Sequence, residues 1–247
     1  MPRHSLLLEI LMKKIFFLVF TLFTITGVQA GDAMPSTHNW NIGSDNAAIH
    51  ARRVASSKPV GIVSGVLDVA GISRNAWNGN TIHSAFTKTS RPCPPFCIQP
   101  THPFAPAPVD TVTELDVIHA ARDVAGGDTS VMVIDARTPV WTTAAKGGTI
   151  PHAVNIPFNT INSKALAKDP MAVVEILTDQ FGVADMDGVL DFSGAKTLYL
   201  FCNGLWCGQS PAAIRALLQV GYPASKLKYY RGGMNSWQSL GLSTVGM

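Results

Sequence analysis

The stretch TLYLFCNGLWCGQSPAAIRALLQVGY, residues 197–222, decides the fold of the C-terminal half of this chain. Its first five residues are a short apolar run that stops at Cys202, which is typical of a strand buried in a parallel sheet. The segment from Pro211 to Val220 has the apolar spacing of an amphipathic helix. The pattern predicts a strand that delivers a thiol to the N-terminus of a helix, where backbone N–H groups and the helix dipole favour an anion.

A thiol in that position is expected to ionise more easily than a free one, and the thiolate is the nucleophilic form. The predicted chemistry at Cys202 is therefore transfer of sulfur as a persulfide, or exchange of disulfides. The alternative is a cysteine that only packs at the end of a strand, since buried free cysteines are common.

Strand and helix patterns alternate through the C-terminal half. The predicted strands are 131–135, 153–158, 197–201 and 227–230, and the predicted helices are 113–123, 164–169, 171–182 and 211–220. This alternation predicts an α/β fold with a parallel sheet covered by helices on both faces. In such sheets functional sites lie beyond the carboxyl ends of the strands, which is where Cys202 stands.

Three further motifs accompany the cysteine loop: IDAR at 134–137, GTIPHAVNIPF at 148–158 and YRGGMNSW at 230–237. In this order they resemble the rhodanese (sulfurtransferase) domain over about residues 110–247. The resemblance implies a rhodanese-like α/β fold, Cys202 as the nucleophile, and Asp135 and Arg137 as supporting residues. It also implies a substrate-binding loop made of Asn203, Gly204, Leu205, Trp206, Gly208, Gln209 and Ser210.

The loop departs from the usual family pattern. It is two residues longer, and Gln209 stands before Ser210 where the family has a basic residue. No Lys or Arg lies between Cys202 and Ser210. Thiosulfate is a dianion that needs a charged clamp, so thiosulfate is a doubtful donor for a sulfurtransferase with this loop. We expect the backbone amides of residues 203–208 to hold the sulfur anion instead.

A second thiol, Cys207, lies in the same loop. It is predicted to act beside Cys202 and to resolve a persulfide there, releasing sulfide and leaving a disulfide. Two alternatives stay open: a thiol–disulfide oxidoreductase that uses the same pair, and a non-catalytic module that binds a partner or a metal. A static disulfide between the two cysteines is the structural alternative.

The N-terminus has the pattern of a secretory signal peptide. Residues 12–30, MKKIFFLVFTLFTITGVQA, combine a basic start, an apolar stretch and a small-residue end. The apolar stretch is shorter than the roughly 20 residues of a membrane span. We therefore expect cleavage after Ala30, a periplasmic or otherwise exported protein, and no stable membrane span after processing. An uncleaved anchor is the alternative.

Composition narrows the class of partner. The formal net charge is +3 over 247 residues, and loss of residues 1–30 brings it closer to zero. Without a basic patch, nucleic acid is not an expected partner. The sequence predicts no cofactor and no resident metal. The expected partners are a small sulfur-containing molecule or a thiol protein.

Residues 31–109 form a separate N-terminal region, predicted to be irregular with some β-structure, ahead of the domain at 110–247. Seven of the 16 prolines lie between Pro92 and Pro108, and among them stands the CPPFC segment, residues 93–97. In an oxidising compartment four cysteines suggest disulfides, with Cys93–Cys97 and Cys202–Cys207 as the natural pairs and other connectivities open. A redox pair that serves the Cys202 loop, or a metal site completed by His83 or His102, are the other interpretations of the segment.

Overall fold

The computed structural model describes residues 69–74, 81–88 and 91–247, which lie in one compact unit. Within this part the strands are β1 Asp110–Val112, β2 Val131–Asp135, β3 Val154–Asn155, β4 Ala184–Met186, β5 Val189–Asp191, β6 Thr197–Phe201 and β7 Leu227–Tyr230. The helices are α1 Glu114–Ala125, α2 Ser163–Lys168, α3 Pro170–Phe181, α4 Gln209–Gln219 and α5 Gly233–Ser239.

Five of these strands form one parallel sheet in the order β1-β7-β6-β2-β3. The central strand β6 is in register with both neighbours, so that Phe201 is opposite Asp135 on one side and Tyr230 on the other. The carboxyl ends of the three central strands therefore meet at one edge, directly before Cys202. The predicted parallel α/β fold with helices on both faces is confirmed.

Alternate side chains of β6 enter two different cores, as strand geometry requires. Leu198 and Leu200 are buried with residues of α3 and α4, among them Leu177 and Leu217. Phe201 is buried on the opposite face, among residues of α1 and α5. A strand covered on both faces has to be apolar throughout, which explains the continuous apolar run in the sequence.

Helix starts agree with the local sequence to within a few residues. Thr113, predicted as a cap, precedes α1 and forms a capping box with Asp116. The helix after Cys202 begins at Gln209, two residues before the predicted start at Pro211. A proline is tolerated there because N–H groups of the first helical turn have no partner within the helix.

Three strands were not predicted. β1 has only three residues, and β4 and β5 form a short antiparallel hairpin whose residues are mostly exposed. Segments this short and this exposed carry no clear alternation of apolar and polar residues.

Residues upstream of the sheet pack against it. Ile72 and Phe86 are buried in the core beside α1, and Phe104 and Val109 are buried in the core beside α4. The predicted boundary at residue 110 stays a prediction, although the described part of the preceding region shares the cores of the sheet. The predicted signal peptide and residues 31–68 of the predicted irregular region lie outside the described residues. At the described end of that region, Val69 and Ile72 form an isolated bridge.

Candidate active site

The Cys202 thiol lies between the end of β6 and the start of α4. The Ser210 hydroxyl donates a hydrogen bond to the Cys202 Sγ across 3.2 Å, and the Cys207 carbonyl oxygen is 3.5 Å from the same sulfur. Cys202 is 2% exposed. Cys202 therefore lies between the end of a strand and the N-terminus of a helix, as the sequence predicted.

Opposing effects act on the acidity of Cys202. Burial alone raises the pKa of the thiol, but hydrogen bonds from the Cys207 thiol, the Ser210 hydroxyl and the amides of Ser210 and Gly204 outweigh it. The net result lowers the pKa of Cys202 to about 7. Hydrogen bonds to the charged form favour ionisation, so a substantial fraction of Cys202 is thiolate at neutral pH.

The second thiol of the loop has the opposite character. Burial raises the pKa of Cys207 well above its usual value, and the neighbouring Cys202 raises it further. Both cysteines are free thiols, so the predicted Cys202–Cys207 disulfide is not present in this structure. The Cys207 Sγ lies 3.7 Å from the Gln209 Oε1. The loop thus holds one thiol that ionises readily next to one that resists ionisation.

A turn after β7 supports the base of the loop. The amide of Met234 donates to the Cys202 carbonyl across 3.0 Å, and the amide of Asn235 donates to the Asn203 carbonyl across 2.9 Å. Gly233 permits this approach: its φ is +56°, and a Cβ there would come within 2.8 Å of the Gly204 nitrogen. Gly233 of the YRGGMNSW motif therefore lies directly against the cysteine loop.

A cavity of about 440 Å³ opens beside Cys207. Five of its lining residues belong to the cysteine loop, and the others come from distant parts of the chain. The lining comprises Ala85, Phe86, Arg91, Pro95, Phe96, Trp141, Asn203, Trp206, Cys207, Gly208 and Gln209. Cys202 is buried next to this lining and is not part of it. Three predicted loop residues also lie outside the lining: Ser210 and Gly204 donate hydrogen bonds to the Cys202 sulfur, and Leu205 is exposed.

Arg91 is a basic residue near the site that the sequence did not single out. The cysteine loop itself has no Lys or Arg between Cys202 and Ser210. The structure brings Arg91 to the cavity wall, with its guanidinium carbon 4.4 Å from the Trp206 ring centroid and 5.5 Å from that of Phe96. The only signal in the sequence was the closeness of Arg91 to the CPPFC segment.

The CPPFC segment forms part of the same wall. Cys93 and Cys97 are joined in a disulfide, one of the pairings that the sequence suggested. The segment is fastened beside the loop because the Gln99 amide donates to the Leu205 carbonyl across 2.8 Å. Arg231 in turn donates from Nε and Nη2 to the Gln99 carbonyl, across 2.9 and 2.7 Å.

Asp135 and Arg137, the predicted supporting residues, form a fully buried ion pair. The Arg137 Nη2 is 2.5 Å from the Asp135 Oδ2, and it also donates to the Gly148 carbonyl across 2.7 Å. The Thr149 hydroxyl donates to the same carboxylate across 2.6 Å. The pair joins the end of β2 to the segment before β3, and neither residue lines the cavity.

Tyr229 is a neighbour of the thiols that the sequence did not single out. It is opposite Leu200 in the sheet, so it lies on the same face as Leu200 and Cys202. Its hydroxyl is buried without a hydrogen-bond partner among the described residues. Burial raises the pKa of Tyr229 far above its usual value, and the charges of Cys202 and Cys207 raise it further.

The metal-binding interpretation finds no site in the part of the chain that the structure describes. There, no three side chains of His, Cys, Asp or Glu come together as a metal site would require. His83, one of the proposed ligands, instead accepts a hydrogen bond from the Ala85 amide through its Nδ1.

Within residues 69–74, 81–88 and 91–247, the helices are too short or too polar to cross a bilayer.

A family match agrees with the fold described above. The family model of the rhodanese-like domain matches residues 119–240. A crystal structure of the BH2092 protein from Bacillus halodurans is similar at 18% identity and a TM-score of 0.34, over 55% of this chain and 77% of that one. No curated protein matches the chain. The family match supports a sulfurtransferase-like or related function, and residues 119–240 of this chain belong to the rhodanese-like domain family.

Proposed function

We propose that this chain is an exported sulfur-transfer protein in which Cys202 carries sulfur as a persulfide and Cys207 resolves it. One observation carries the proposal. A buried thiol with its pKa lowered to about 7 lies next to a second free thiol whose pKa is raised. Cys202 is suited to nucleophilic attack as a thiolate, and Cys207 is suited to remain protonated until the resolving step.

In the loading step, the Cys202 thiolate attacks the outermost (sulfane) sulfur of a donor. A bond forms between the Cys202 Sγ and that sulfur, while the bond from that sulfur to the rest of the donor breaks. The rest of the donor leaves with the bonding electron pair. The amides of Gly204 and Ser210 and the Ser210 hydroxyl favour the thiolate, and we expect them to stabilise the negative charge of the persulfide as well.

In the resolving step, Cys207 attacks the Sγ of the Cys202 persulfide. A disulfide forms between Cys202 and Cys207, and the outer sulfur leaves as hydrosulfide with the proton that Cys207 gives up. An external dithiol protein then reduces the disulfide and is itself oxidised. Without Cys207, the outer sulfur remains on Cys202 until another thiol accepts it.

Two features support an exported location. Residues 12–30 have the signal-peptide pattern, and a disulfide joins Cys93 to Cys97 on the wall of the cavity. Disulfides persist in oxidising compartments and are rare in the cytosol. In such a compartment, the external dithiol is needed to return Cys202 to its reduced form.

The second candidate is a thiol–disulfide oxidoreductase that uses the same pair. The difference in pKa between Cys202 and Cys207 favours it, since such enzymes combine an acidic attacking thiol with a protonated partner. The two functions differ in one observable: only sulfur transfer leaves an additional sulfur atom on the protein.

Intact mass spectrometry separates the two candidates. The reduced chain, Cys202→Ser and Cys207→Ser are each exposed to a polysulfide and then analysed without reductant. We expect a gain of one sulfur atom that requires Cys202 and lasts longer in Cys207→Ser. The unmodified chain should pass from this adduct to a form that has lost two hydrogens.

Other results would contradict the proposal. A loss of two hydrogens in the unmodified chain, with no sulfur adduct on either that chain or Cys207→Ser, would favour the oxidoreductase. An adduct that survives in Cys202→Ser would place the sulfur on a different residue.

A further inference from the structure

Arg91 brings an uncompensated positive charge to the cavity beside Cys207. The ion pairs among the described residues are Arg122–Asp123, Arg137–Asp135 and Lys228–Asp110, and none involves Arg91. The Arg91 Nε is buried and has no hydrogen-bond partner in the described part of the chain. A partly buried cation is unfavourable unless an anion or hydrogen-bond acceptor compensates it.

Two aromatic rings lie close to the planar guanidinium group of Arg91. Its guanidinium carbon lies 4.4 Å from the Trp206 centroid and 5.5 Å from the Phe96 centroid, both within cation–π range. Trp206 belongs to the cysteine loop and Phe96 to the CPPFC segment. The charge is therefore held where the two segments meet, on the same cavity wall as Cys207.

The remainder of the wall is largely apolar. Ala85, Phe86, Pro95 and Trp141 join the two aromatic residues, and Asn203 and Gln209 add polar groups. The Asn203 Oδ1 is a second buried atom without a partner in the described part. A cavity of about 440 Å³ falls in the range of roughly 300–1,000 Å³ that suits organic molecules. Thiosulfate would leave most of the aromatic wall uncovered.

We infer that the cavity binds an organic anion, with the anionic group at Arg91 and an apolar body against the aromatic wall. Resting on the proposed function, this assigns the sulfur donor to the organic sulfane-sulfur compounds rather than to thiosulfate. Arg91 is then the specificity-determining residue, although it lies outside the cysteine loop.

An aryl thiosulfonate illustrates the step. The Cys202 thiolate forms a bond to the sulfane sulfur, the bond from that sulfur to the sulfonyl sulfur breaks, and an aryl sulfinate leaves with the electron pair. Two negative charges enter the step and two leave it, on the persulfide and on the sulfinate. The Arg91 guanidinium can hold the sulfonyl oxygens in the donor and the sulfinate oxygens in the product.

Binding is tested first with benzenesulfonate, which has no sulfur to transfer, by isothermal titration calorimetry on the full chain. We expect binding to the unmodified chain, and affinity at least about tenfold lower in Arg91→Gln, since a charge-assisted contact is lost. Inorganic sulfate should bind at least about tenfold more weakly than benzenesulfonate, because it cannot cover the apolar wall.

Two variants control for loss of charge and for folding. Arg122→Gln removes an exposed arginine on α1 by the same substitution and should leave benzenesulfonate binding unchanged. Arg91→Lys keeps the charge but loses the planar stacking surface, so its affinity should lie between those of the unmodified chain and Arg91→Gln. Thermal unfolding of each variant shows whether it is folded.

The inference is overturned if benzenesulfonate does not bind, if a folded Arg91→Gln binds it equally well, or if sulfate binds with the same affinity. A second arm follows sulfur uptake from benzenethiosulfonate and from thiosulfate by intact mass. Arg91-dependent binding without any uptake would support the organic-anion cavity and overturn the persulfide function. Equal uptake from both donors, independent of Arg91, would support the function and overturn the inference.

Discussion

The hydroxyl of Ser210 donates a hydrogen bond to the Sγ of Cys202 across 3.2 Å, from the first turn of α4. Eight positions separate the two residues in sequence. The cysteine loop closes between them and brings the end of β6 and the start of α4 together at the Cys202 Sγ. Ser210 is fully buried, so its hydroxyl cannot exchange this contact for water. The acidity of Cys202 depends on that closure.

Substitution of Ser210 by alanine should make Cys202 less reactive at neutral pH. Alkylation requires the thiolate, so its rate in the unmodified chain should rise with pH around a midpoint of about 7. Without the hydroxyl the pKa of Cys202 rises, the midpoint moves to higher pH, and alkylation at pH 7 slows by about tenfold. Iodoacetamide kinetics recorded from about pH 5 to about pH 9 give both the midpoint and the rate at pH 7. Threonine in place of Ser210 should restore part of the rate. An unchanged pH profile in Ser210→Ala would contradict the role of the hydroxyl.

Tyr229→Phe should be tolerated by the fold. The Tyr229 hydroxyl is buried without a described partner, so its removal loses no hydrogen bond and relieves the cost of burying a polar group. We expect the free energy of unfolding in urea to stay the same or to rise by about 1 kcal/mol. Tyr222→Phe is the matched control, because the Tyr222 hydroxyl donates to the Lys196 carbonyl across 2.6 Å and its loss should cost about 1 kcal/mol. Greater destabilisation by Tyr229→Phe than by Tyr222→Phe would be inconsistent with an unpartnered hydroxyl.

Asp135→Asn should destabilise the domain strongly. It removes the charge that compensates the fully buried Arg137, which leaves an unpaired cation in the interior. Breaking a buried ion pair in this way costs about 3–5 kcal/mol. Asp123→Asn, which breaks an exposed pair with Arg122, should cost less than about 1 kcal/mol in the same urea titration. Equal effects of the two substitutions would contradict a structural role for the buried pair.

Replacement of both Cys93 and Cys97 by serine should reduce the affinity of the cavity for its ligand more than it reduces the stability of the fold. The disulfide closes a loop of only a few residues, so its loss should lower the free energy of unfolding by no more than about 2 kcal/mol. Because Arg91 stands two residues before Cys93, its placement over Trp206 should become less defined. Calorimetry should then record weaker benzenesulfonate binding, whereas Ser substitution of Cys202 should leave that binding intact. Unchanged affinity in the Cys93/Cys97 double variant would show that the disulfide does not position Arg91.

Much of the site's framework follows from local patterns. The apolar run 197–201 is a buried strand because every residue in it has to suit an apolar neighbour on one face or the other. The helix after it begins within two residues of the predicted start, since apolar spacing and a proline mark the first turn. Asp135 and Arg137, expected from their motif to be supporting residues, form a buried ion pair.

The structural features that the sequence did not predict have a common cause. β1, β4 and β5 are too short for their periodicity to be recognised, and they form through pairing with partners. Tyr229 has the pattern of any residue in a buried strand, and only the register with β6 brings it near the thiols. Neither kind of information is present in a local window of sequence.

Sequence by itself determined the rhodanese-like fold, the position of Cys202 at the end of its strand, and the two cysteines of the loop as the reactive candidates. These follow from side-chain polarity, strand and helix periodicity and turn residues, which act over a few neighbouring positions. Tertiary structure alone decided that Cys202 and Cys207 are free while Cys93 and Cys97 are bonded. It also decided that Arg91 stands at the cavity. The physical reason is that these relationships depend on how surfaces distant in the chain pack together, and local periodicity carries no record of that packing.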